Sequence, residues 1–249
     1  MSLEGRIALV TGASSGLGAH FARALAQAGA AVALCARREE RLIFLADELR
    51  SAGARAVAVA MDVADEAAIP AAFDAAEGAL GPVDTLINNA GMNAEGAALD
   101  LSATDFDRVL AVNLRGPFLC AREAARRMIA RGEAAGRIVN IASIGALKPL
   151  PGLAAYCASK AGLVMLTKAL AREWANKGVN VNALCPGYVE TDLNADFLAT
   201  PAGARLIASF PRRRLMCASD LDAMLLYLAG RESGAVTGGV FAIDDGQLL

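Results

Sequence analysis

The chain has few of the residues that build metal centres and disulfide frameworks. It contains a single histidine, His20, and five cysteines that are scattered without any Cys-x-x-Cys spacing. This pattern argues against both a zinc site and a disulfide framework, and it predicts reduced, mostly buried thiols. We therefore expect chemistry that needs no metal.

Long apolar runs and an excess of basic charge are also lacking. No apolar stretch approaches the ~18 to 20 residues of a membrane span. The formal net charge of −2 offers no general basic surface for nucleic acid. The first residues, Met1 to Arg6, lack the features of a secretory signal, so a cytoplasmic location is expected. The hydrophobic content of 55% suits a well-buried domain.

Short apolar runs alternate with amphipathic stretches along the chain. The apolar runs predict strands near residues 6–11, 31–36, 56–61, 84–88, 137–142, 180–185 and 239–243. The amphipathic stretches predict helices that include 16–28, 39–52, 66–79, 105–131, 154–177 and 219–229. Such alternation indicates an α/β fold with a parallel sheet covered on both faces. Because no linker or repeat divides residues 1–249, we predict one doubly wound domain.

Two of the helices have capping signals at their starts. Ser102 stands three residues before Asp105, and Ser219 stands three residues before Asp222. A serine followed at this spacing by an acidic residue is typical of a capping box. We expect one helix to begin at each pair.

A glycine-rich turn follows the first predicted strand. It reads Gly12-Ala13-Ser14-Ser15-Gly16-Leu17-Gly18 and leads into an alanine-rich helix. A strand, a glycine-rich turn and a helix in this order are typical of a dinucleotide-binding site. The glycines let the backbone approach a pyrophosphate at the helix N-terminus. The spacing is Gly-x-x-x-Gly-x-Gly, and a glycine-rich turn without a ligand is the alternative.

A second group of residues has the chemistry of proton exchange. Tyr156 and Lys160 are four residues apart and share one face of a helix. A cation close to a phenol favours the phenolate and lowers its pKa from about 10 toward neutrality. Ser143, at the end of a buried strand, can hydrogen-bond a carbonyl oxygen. The three residues indicate carbonyl–alcohol chemistry, although an isolated Tyr-x-x-x-Lys can be an ordinary helix pair.

The end of the second strand bears on the choice of nicotinamide cofactor. A protein that binds NAD places a carboxylate there to accept hydrogen bonds from the ribose. Here the strand ends at Ala36 and is followed by Arg37 and Arg38. Because a guanidinium matches a 2′-phosphate in charge and geometry, Arg37 favours NADP(H), with NAD(H) possible. The alternative is that both arginines are solvated charges near Glu39 and Glu40.

In order and spacing these motifs resemble the short-chain dehydrogenase/reductase family over nearly the whole chain. The motifs are the Thr11–Gly18 turn, Asp62-Val63, Asn88-Asn89-Ala90-Gly91, Asn113, Ser143, Tyr156 with Lys160, and Pro186-Gly187 with Thr191. The resemblance implies a Rossmann-type fold and hydride transfer between a nicotinamide and a ketone or secondary alcohol. It implies that Tyr156 exchanges the proton, Ser143 orients the oxygen, and Lys160 contacts the nicotinamide ribose.

The resemblance also assigns expected roles to further residues. Asn113 would anchor a water for proton relay through Lys160. Cofactor contacts are expected from Gly12, Ser14, Ser15, Gly16, Leu17, Gly18, Arg37, Asp62, Val63, Asn89, Ala90, Gly91, Tyr156, Lys160, Pro186, Gly187, Val189 and Thr191. The substrate would meet Ser143, Tyr156, Ile144 and Tyr188, with Gly145, Leu147, Leu150, Met92, Asn93, Leu193 and Phe197 as further pocket candidates.

Substrate and assembly are less sharply indicated. The largely apolar pocket candidates favour a neutral ketone or an acyl chain, so we expect an NADPH-dependent carbonyl or 3-oxoacyl thioester reductase. An NAD-dependent alcohol or sugar dehydrogenase and a non-catalytic nucleotide-binding protein are the alternatives. Residues 192 to about 215 have weak periodicity and, in the family, this region covers the substrate pocket, so we expect a lid around 188–215. Arg212 to Arg214 could meet an acidic carrier protein or CoA, or be solvated. We expect a homotetramer or homodimer.

Overall fold

The computed structural model of the protein describes residues 1–132, 135–191 and 194–249. Parallel strands form one sheet at its centre. They are β1 (Ile7–Thr11), β2 (Ala31–Ala36), β3 (Ala56–Ala60), β4 (Thr85–Asn88), β5 (Gly136–Ile141), β6 (Val179–Pro186) and β7 (Val240–Ile243). The order across the sheet is β3-β2-β1-β4-β5-β6-β7. This confirms the doubly wound sheet of seven strands, and each predicted strand agrees to within one residue at either end.

Helices cover both faces of this sheet. Within the described ranges they are α1 (Gly16–Gln27), α2 (Glu39–Ser51), α3 (Ala68–Leu80), α4 (Ala103–Leu110), α5 (Gly116–Ala130), α6 (Ala154–Trp174), α7 (Ala195–Leu198), α8 (Pro201–Ser209) and α9 (Asp222–Ala229). None of them is long and apolar enough to cross a membrane. The helix predicted over 105–131 is not continuous, because a π-helical segment, Ala111–Arg115, separates α4 from α5.

The core consists of two apolar layers, one on each face of the sheet. Helices α1, α2 and α9 pack on one face through residues such as Phe21, Leu42 and Leu225. Helices α3, α5 and α6 pack on the other face through residues such as Phe73 and Leu170. Because both faces are covered, every residue of β2, β5 and β6 is buried. This explains why the strands read as continuous apolar runs in the sequence.

The chain reverses its winding direction between β1 and β4, and the two strands lie side by side in the sheet. Thr11 joins their carboxyl ends. Its Oγ1 accepts hydrogen bonds from the backbone N–H groups of Asn89 and Ala90, both at 3.0 Å. The Asn89 side chain donates back to the Thr11 carbonyl oxygen at 3.0 Å. In open α/β sheets, ligands bind in the crevice at such a switch point.

One capping prediction is confirmed and one is wrong. Ser102 caps α4, since its Oγ accepts a hydrogen bond from the Asp105 backbone at 3.0 Å. Ser219 does not cap α9. A short 3-10 turn, Ala218–Leu221, comes first, and the Asp220 carboxylate accepts the Cys217 N–H at 2.9 Å. The capping residue there is Cys217, two residues before the serine that the spacing predicts.

The segment of weak periodicity contains two short helices that the sequence did not predict, α7 and α8. Thr200 begins the second of them, since its hydroxyl accepts the Gly203 N–H at 3.1 Å. Helix α8 is largely exposed and α7 has only four residues, so neither shows the apolar repeat from which helices are recognised.

Candidate active site

The turn between β1 and α1 depends on glycine because backbone segments approach each other there. Gly12 has a φ of +68°, and a Cβ on it would lie 2.8 Å from the Ala90 Cα. A Cβ on Gly18 would lie 2.2 Å from the Gly12 carbonyl oxygen. Helix α1 begins at Gly16, immediately after this turn. Its first backbone N–H groups have no partners within the helix, so the turn can bind an anion.

Two arginines stand beside this turn, at the end of β2. The Arg38 guanidinium donates to Ser14 Oγ at 3.1 Å and to Ser15 Oγ at 2.7 Å. Arg37 is 76% exposed, and its Nη1 lies 4.0 Å from the Asp62 carboxylate. Arg37 alone was predicted from the sequence as a site residue. Arg38 was missed, although the two serines facing it were a signal for its position.

Asp62 and Val63 follow β3 at the same edge of the sheet. The Asp62 carboxylate accepts the Ala64 N–H at 2.9 Å, which fixes its direction. Val63 is buried and packs so closely against Gly116 that a Cβ on that glycine would lie 2.9 Å from a Val63 methyl carbon. This contact holds the Asp62 turn against the start of α5.

Ser143, Tyr156 and Lys160 converge on the other side of the crevice. Ser143 lies two residues after the end of β5, and its Oγ accepts the Gly145 N–H at 2.9 Å. Because that bond uses only a lone pair of the oxygen, the hydroxyl hydrogen can be donated to Tyr156 or to a ligand. Lys160 Nζ lies 5.7 Å from the centre of the Tyr156 ring and donates to the Ile141 carbonyl oxygen at 2.8 Å.

Burial dominates the protonation of this cluster. Loss of solvation raises the pKa of Tyr156, and hydrogen bonding with Ser143 opposes that rise. Loss of solvation also lowers the pKa of Lys160 to about 8. The sequence predicted that the cation would lower the tyrosine pKa. In the protein alone the net direction of that pKa shift is upward, because desolvation outweighs the favourable interactions.

Asn113 lies behind this cluster, in the π-helical segment. Its side-chain amide donates to the Met92 carbonyl oxygen at 2.8 Å and to Ser159 Oγ at 3.1 Å. Its Oδ1 accepts the Met92 N–H at 2.8 Å. π-Helical segments place side chains in positions that a regular helix does not allow. Here the segment ties Asn113 to the loop after β4 and to α6.

The segment after β6 forms the remaining wall. The Tyr188 N–H donates to the Gln247 side chain at 2.7 Å. Asn194 accepts the Thr191 N–H at 2.8 Å and donates to the Val189 carbonyl oxygen at 3.0 Å. Thr191 thereby approaches the glycine turn, since a Cβ on Gly16 would lie 3.6 Å from the Thr191 Cβ.

All these walls enclose one cavity of about 730 Å³. It is lined by every residue predicted to contact the cofactor and by the predicted substrate residues Ser143, Tyr156, Ile144 and Tyr188. Of the further pocket candidates, Met92, Asn93, Leu150 and Phe197 line it, Gly145 and Leu147 do not, and Leu193 lies outside the described residues. Lining residues that were not predicted include Ala36, Met61, Glu95, Gly96, Val112, Ile141, Ala142, Pro151, Gly152, Leu153 and Asn194.

Two other features of the sequence have definite positions. Arg212 and Arg214 form ion pairs with Asp245 at 3.1 and 2.9 Å. The free cysteines Cys35, Cys120 and Cys185 are buried, while Cys157 accepts the Leu150 N–H with its sulfur at 3.4 Å.

Among residues 1–132, 135–191 and 194–249, no three metal-ligating side chains are grouped to hold an ion.

Comparison with known proteins places this geometry among dehydrogenases. A family model described as short chain dehydrogenase matches residues 6–202. A D-threitol dehydrogenase from Mycolicibacterium smegmatis is 38% identical over 99% of this chain and 94% of its own length. A gluconate 5-dehydrogenase from Burkholderia cenocepacia, solved with NADP and tartrate, is 37% identical and superimposes with a TM-score of 0.94 over 99% of this chain and 96% of that one.

A polyketide ketoreductase has the same architecture. A variant of the actinorhodin polyketide ketoreductase, solved with NADPH, is 38% identical and has a TM-score of 0.91 over 99% of both chains. Relatives of similar identity therefore act, by their names, on substrates as different as a sugar alcohol and a polyketide. Identity at this level indicates the reaction class, and the substrate has to be argued from the pocket itself.

Proposed function

Because the chain belongs to the short-chain dehydrogenase family, we propose that it is an NADP(H)-dependent oxidoreductase that interconverts a secondary alcohol and a ketone. One observation carries the proposal. Tyr156, Lys160 and Ser143 meet in the same cavity as the glycine turn and the two arginines. A proton-exchanging group and a dinucleotide-binding turn in one enclosed space are the elements that this reaction needs.

The residues of the cavity fit the cofactor from its phosphates outward. The glycine turn and the N-terminus of α1 would hold the pyrophosphate. Arg37 and Arg38 would hold the 2′-phosphate, since the edge beside Ser14 carries two guanidinium groups and β2 ends without a carboxylate. Val189 and Thr191 would meet the nicotinamide carboxamide. When bound, the nicotinamide supplies or accepts the hydride.

The protein supplies the proton and the stabilisation of charge on oxygen. Tyr156 donates its proton to the substrate oxygen in the reducing direction and removes the alcohol proton in the oxidising direction. Ser143 donates its hydroxyl hydrogen to the same oxygen when the substrate is bound. Lys160 is a cation inside the site, and its charge favours the phenolate form of Tyr156.

Asn113 acts through its neighbours. Both hydrogens of its side-chain amide are used on Met92 and Ser159. It therefore positions the wall of the cavity and the helix that carries Tyr156. The water-anchoring role predicted for Asn113 would fall to its backbone carbonyl oxygen.

We propose residues 188–215 as the lid over this site. Phe197 lines the cavity, and the Phe210 ring lies 5.4 Å from the Tyr188 ring. Because α7 and α8 are short and contain one buried residue each, they can move without disturbing the sheet. This segment would close over the reactants and exclude water.

The prediction of a homotetramer or homodimer is supported by an apolar groove beside α4 and α6. The groove is lined by Leu110, Leu114, Phe118 and Leu166, and Met165 is 64% exposed on the same helix. Exposed apolar surface of this kind is typical of subunit interfaces. Gel filtration tests the assembly, since elution as a single chain would contradict it. A cytoplasmic location stays a prediction.

The first experiment is titration of the purified protein with NADPH and, separately, with NADH, followed by fluorescence. We expect NADPH to bind about tenfold more tightly or better, because its additional phosphate meets two guanidinium groups. Ketones and secondary alcohols are then tested for oxidation of NADPH or reduction of NADP⁺. Binding of neither nucleotide would overturn the proposal. Equal affinity for NADPH and NADH would mean that Arg37 and Arg38 do not bind the 2′-phosphate.

A further inference from the structure

One asparagine of the cavity wall bonds the segment after β6 with both ends of its side-chain amide. Asn194 Oδ1 accepts the Thr191 N–H at 2.8 Å and the Thr191 hydroxyl at 3.3 Å. The Asn194 amide nitrogen donates to the Val189 carbonyl oxygen at 3.0 Å. A single primary amide is therefore bound at its oxygen by Thr191 and at its nitrogen by Val189.

Val189 and Thr191 are also the residues that would meet the carboxamide of the nicotinamide. That carboxamide is itself a primary amide, so it has the same acceptor oxygen and the same two N–H donors as an asparagine side chain. Asn194, Val189 and Thr191 all line the cavity. In the free protein the Asn194 amide thus bonds the groups with which the carboxamide would pair.

The two amides compete chiefly for the hydrogen atoms of Thr191. A backbone N–H and a hydroxyl each have one hydrogen to donate, so the Thr191 donors cannot fully serve two amide oxygens at once. The Val189 carbonyl oxygen has two lone pairs and can accept a hydrogen bond from each amide. A carboxamide that takes the Thr191 donors therefore has to displace the Asn194 oxygen.

Asn194 is the partner that can give way. Val189 is buried and pairs with Met216 in a β-bridge, so its position is fixed from behind. Asn194 is only partly buried, and its side chain does not cap α7. Its backbone N–H is bonded separately, to the Thr191 carbonyl oxygen at 3.1 Å. Rotation of the Asn194 side chain alone can therefore release the Thr191 donors.

The other asparagine side chains of the described wall are bonded elsewhere. Asn89 donates to the Thr11 carbonyl oxygen at 3.0 Å, and Asn93 donates to the Glu95 carboxylate at 2.9 Å. Among the asparagines that line the described part of the cavity, Asn194 is the one whose amide is bonded where the carboxamide is expected.

We infer that Asn194 occupies the carboxamide subsite of the free enzyme in place of the nicotinamide, and that NADP(H) binds by displacing the Asn194 side chain. The inference rests on the proposed function. Bonds that exist only in the free enzyme stabilise that form, so they oppose binding. Asn194 thus lowers the affinity for the complete cofactor, and it leaves unchanged the affinity for a ligand that lacks the nicotinamide.

The test compares two ligands that differ by the nicotinamide ring. Binding of NADP⁺ and of 2′-phospho-ADP-ribose, which is NADP⁺ without that ring, is measured by isothermal titration calorimetry. We expect Asn194→Ala to bind NADP⁺ about fivefold to tenfold more tightly than the wild type, because the bonds to Thr191 no longer have to be broken. Its affinity for 2′-phospho-ADP-ribose should not change. Unchanged or weaker NADP⁺ binding, or an equal gain for both ligands, would overturn the inference.

Two further variants separate the lost hydrogen bonds from other effects of the substitution. Asn194→Leu keeps a similar side-chain size and removes both polar atoms, so it should tighten NADP⁺ binding about as much as Asn194→Ala. If Asn194→Ala alone did so, the cause would be the vacated space and the inference would be wrong. The control is Asn176→Ala, at an exposed position after α6, which should bind both ligands as the wild type does.

Thermal unfolding gives a second readout that a merely structural role would not produce. Because the Asn194 bonds stabilise only the free enzyme, Asn194→Ala should unfold at a lower temperature than the wild type without ligand. The difference should disappear at saturating NADP⁺ and persist at saturating 2′-phospho-ADP-ribose. A difference that persisted with NADP⁺ would mean that Asn194 keeps its bonds in the complex, which contradicts displacement.

The same titrations separate the inference from the function on which it rests. If neither the wild type nor the variants bound NADP⁺, the proposed function would be wrong and the inference with it. If all of them bound NADP⁺ with equal affinity, the inference alone would be overturned.

Discussion

The adenosine end and the reacting end of the cavity differ in how far their charged and polar side chains are exposed to solvent. At the adenosine end, Arg37 is 76% exposed, and Arg38 rests on the hydroxyl groups of Ser14 and Ser15. At the reacting end, Lys160 is only 4% exposed and Ser143 only 7%. Charges at the first end interact through water, whereas charges at the second interact through protein.

This difference determines how much one side chain can contribute. Exposed charges are screened and can be replaced by solvent, so each changes affinity by a modest factor. Buried groups have shifted pKa values and no solvent to replace them, so removal of one changes the reaction itself. We therefore expect large effects at the reacting end and smaller ones at the adenosine end.

The largest effect is expected for Tyr156→Phe. Removal of the hydroxyl takes away the proton donor and leaves the ring packing unchanged, so kcat should fall by about a thousandfold. NADPH affinity should change little, since the cofactor is recognised mainly at the other end. Steady-state rates and a fluorescence titration check both parts. Retention of a substantial share of the wild-type kcat would refute the assigned role.

The burial of Lys160 at the reacting end can be tested through the pH dependence of the free energy of unfolding. Its pKa falls from the ordinary lysine value of 10.5 to about 8 in the folded protein, so between these values the unfolded chain binds more protons. Stability therefore rises with pH across this window, by about 2.5 kcal/mol from about pH 7 to pH 10. Lys160→Met lacks this contribution. Urea unfolding of both proteins should show the wild type gaining on the variant as the pH rises.

A control for this experiment is Lys177→Met, at an exposed position after α6. This variant should show no such dependence relative to the wild type. A constant difference between the wild type and Lys160→Met over the same pH range would mean that Lys160 is not desolvated. The lost hydrogen bond to Ile141 contributes equally at every pH, so it does not affect the slope.

At the adenosine end the strongest variant is Arg37→Asp. It replaces a potential phosphate ligand with a carboxylate, so the ratio of NADH to NADPH affinity should rise about 30-fold. Arg172→Asp, on the exposed surface of α6, is the matched control for charge reversal. An unchanged ratio in Arg37→Asp would place the 2′-phosphate elsewhere.

Most of the sheet could be predicted from the sequence. The same holds for the site residues that directly follow the strands. Strands such as β2 are continuous apolar runs because both faces are buried. Gly12 and Gly18 could be recognised because close backbone approach admits no other residue. Such constraints are local, so they leave a pattern in the chain.

Other parts of the site left no such pattern. The Glu95 carboxylate is hydrogen-bonded by the Asn93 amide, and its loop is joined to Gly152 by the Gly96 N–H. Gly96 and Gly152 are far apart in the sequence, and Asn93 and Glu95 belong to no regular repeat. The Tyr188 backbone is held by Gln247, 59 residues later. The π-helical segment around Asn113 has the same apolar spacing as a regular helix. The positions of these residues depend on long-range contacts between loops. The periodicity of apolar residues in the sequence contains no information about such contacts.

The smallest effect, and the one that distinguishes the two arginines, is expected for Arg38→Ala. Its guanidinium is already bonded to Ser14 and Ser15, so fewer of its donors remain for a phosphate than in Arg37. We expect NADPH affinity to fall about fivefold, with NADH affinity nearly unchanged. Because the interaction is exposed, the difference should diminish between low and high salt. A fall as large as that in Arg37→Asp, or an equal loss of NADH affinity, would instead mean that Arg38 holds the glycine turn itself in shape.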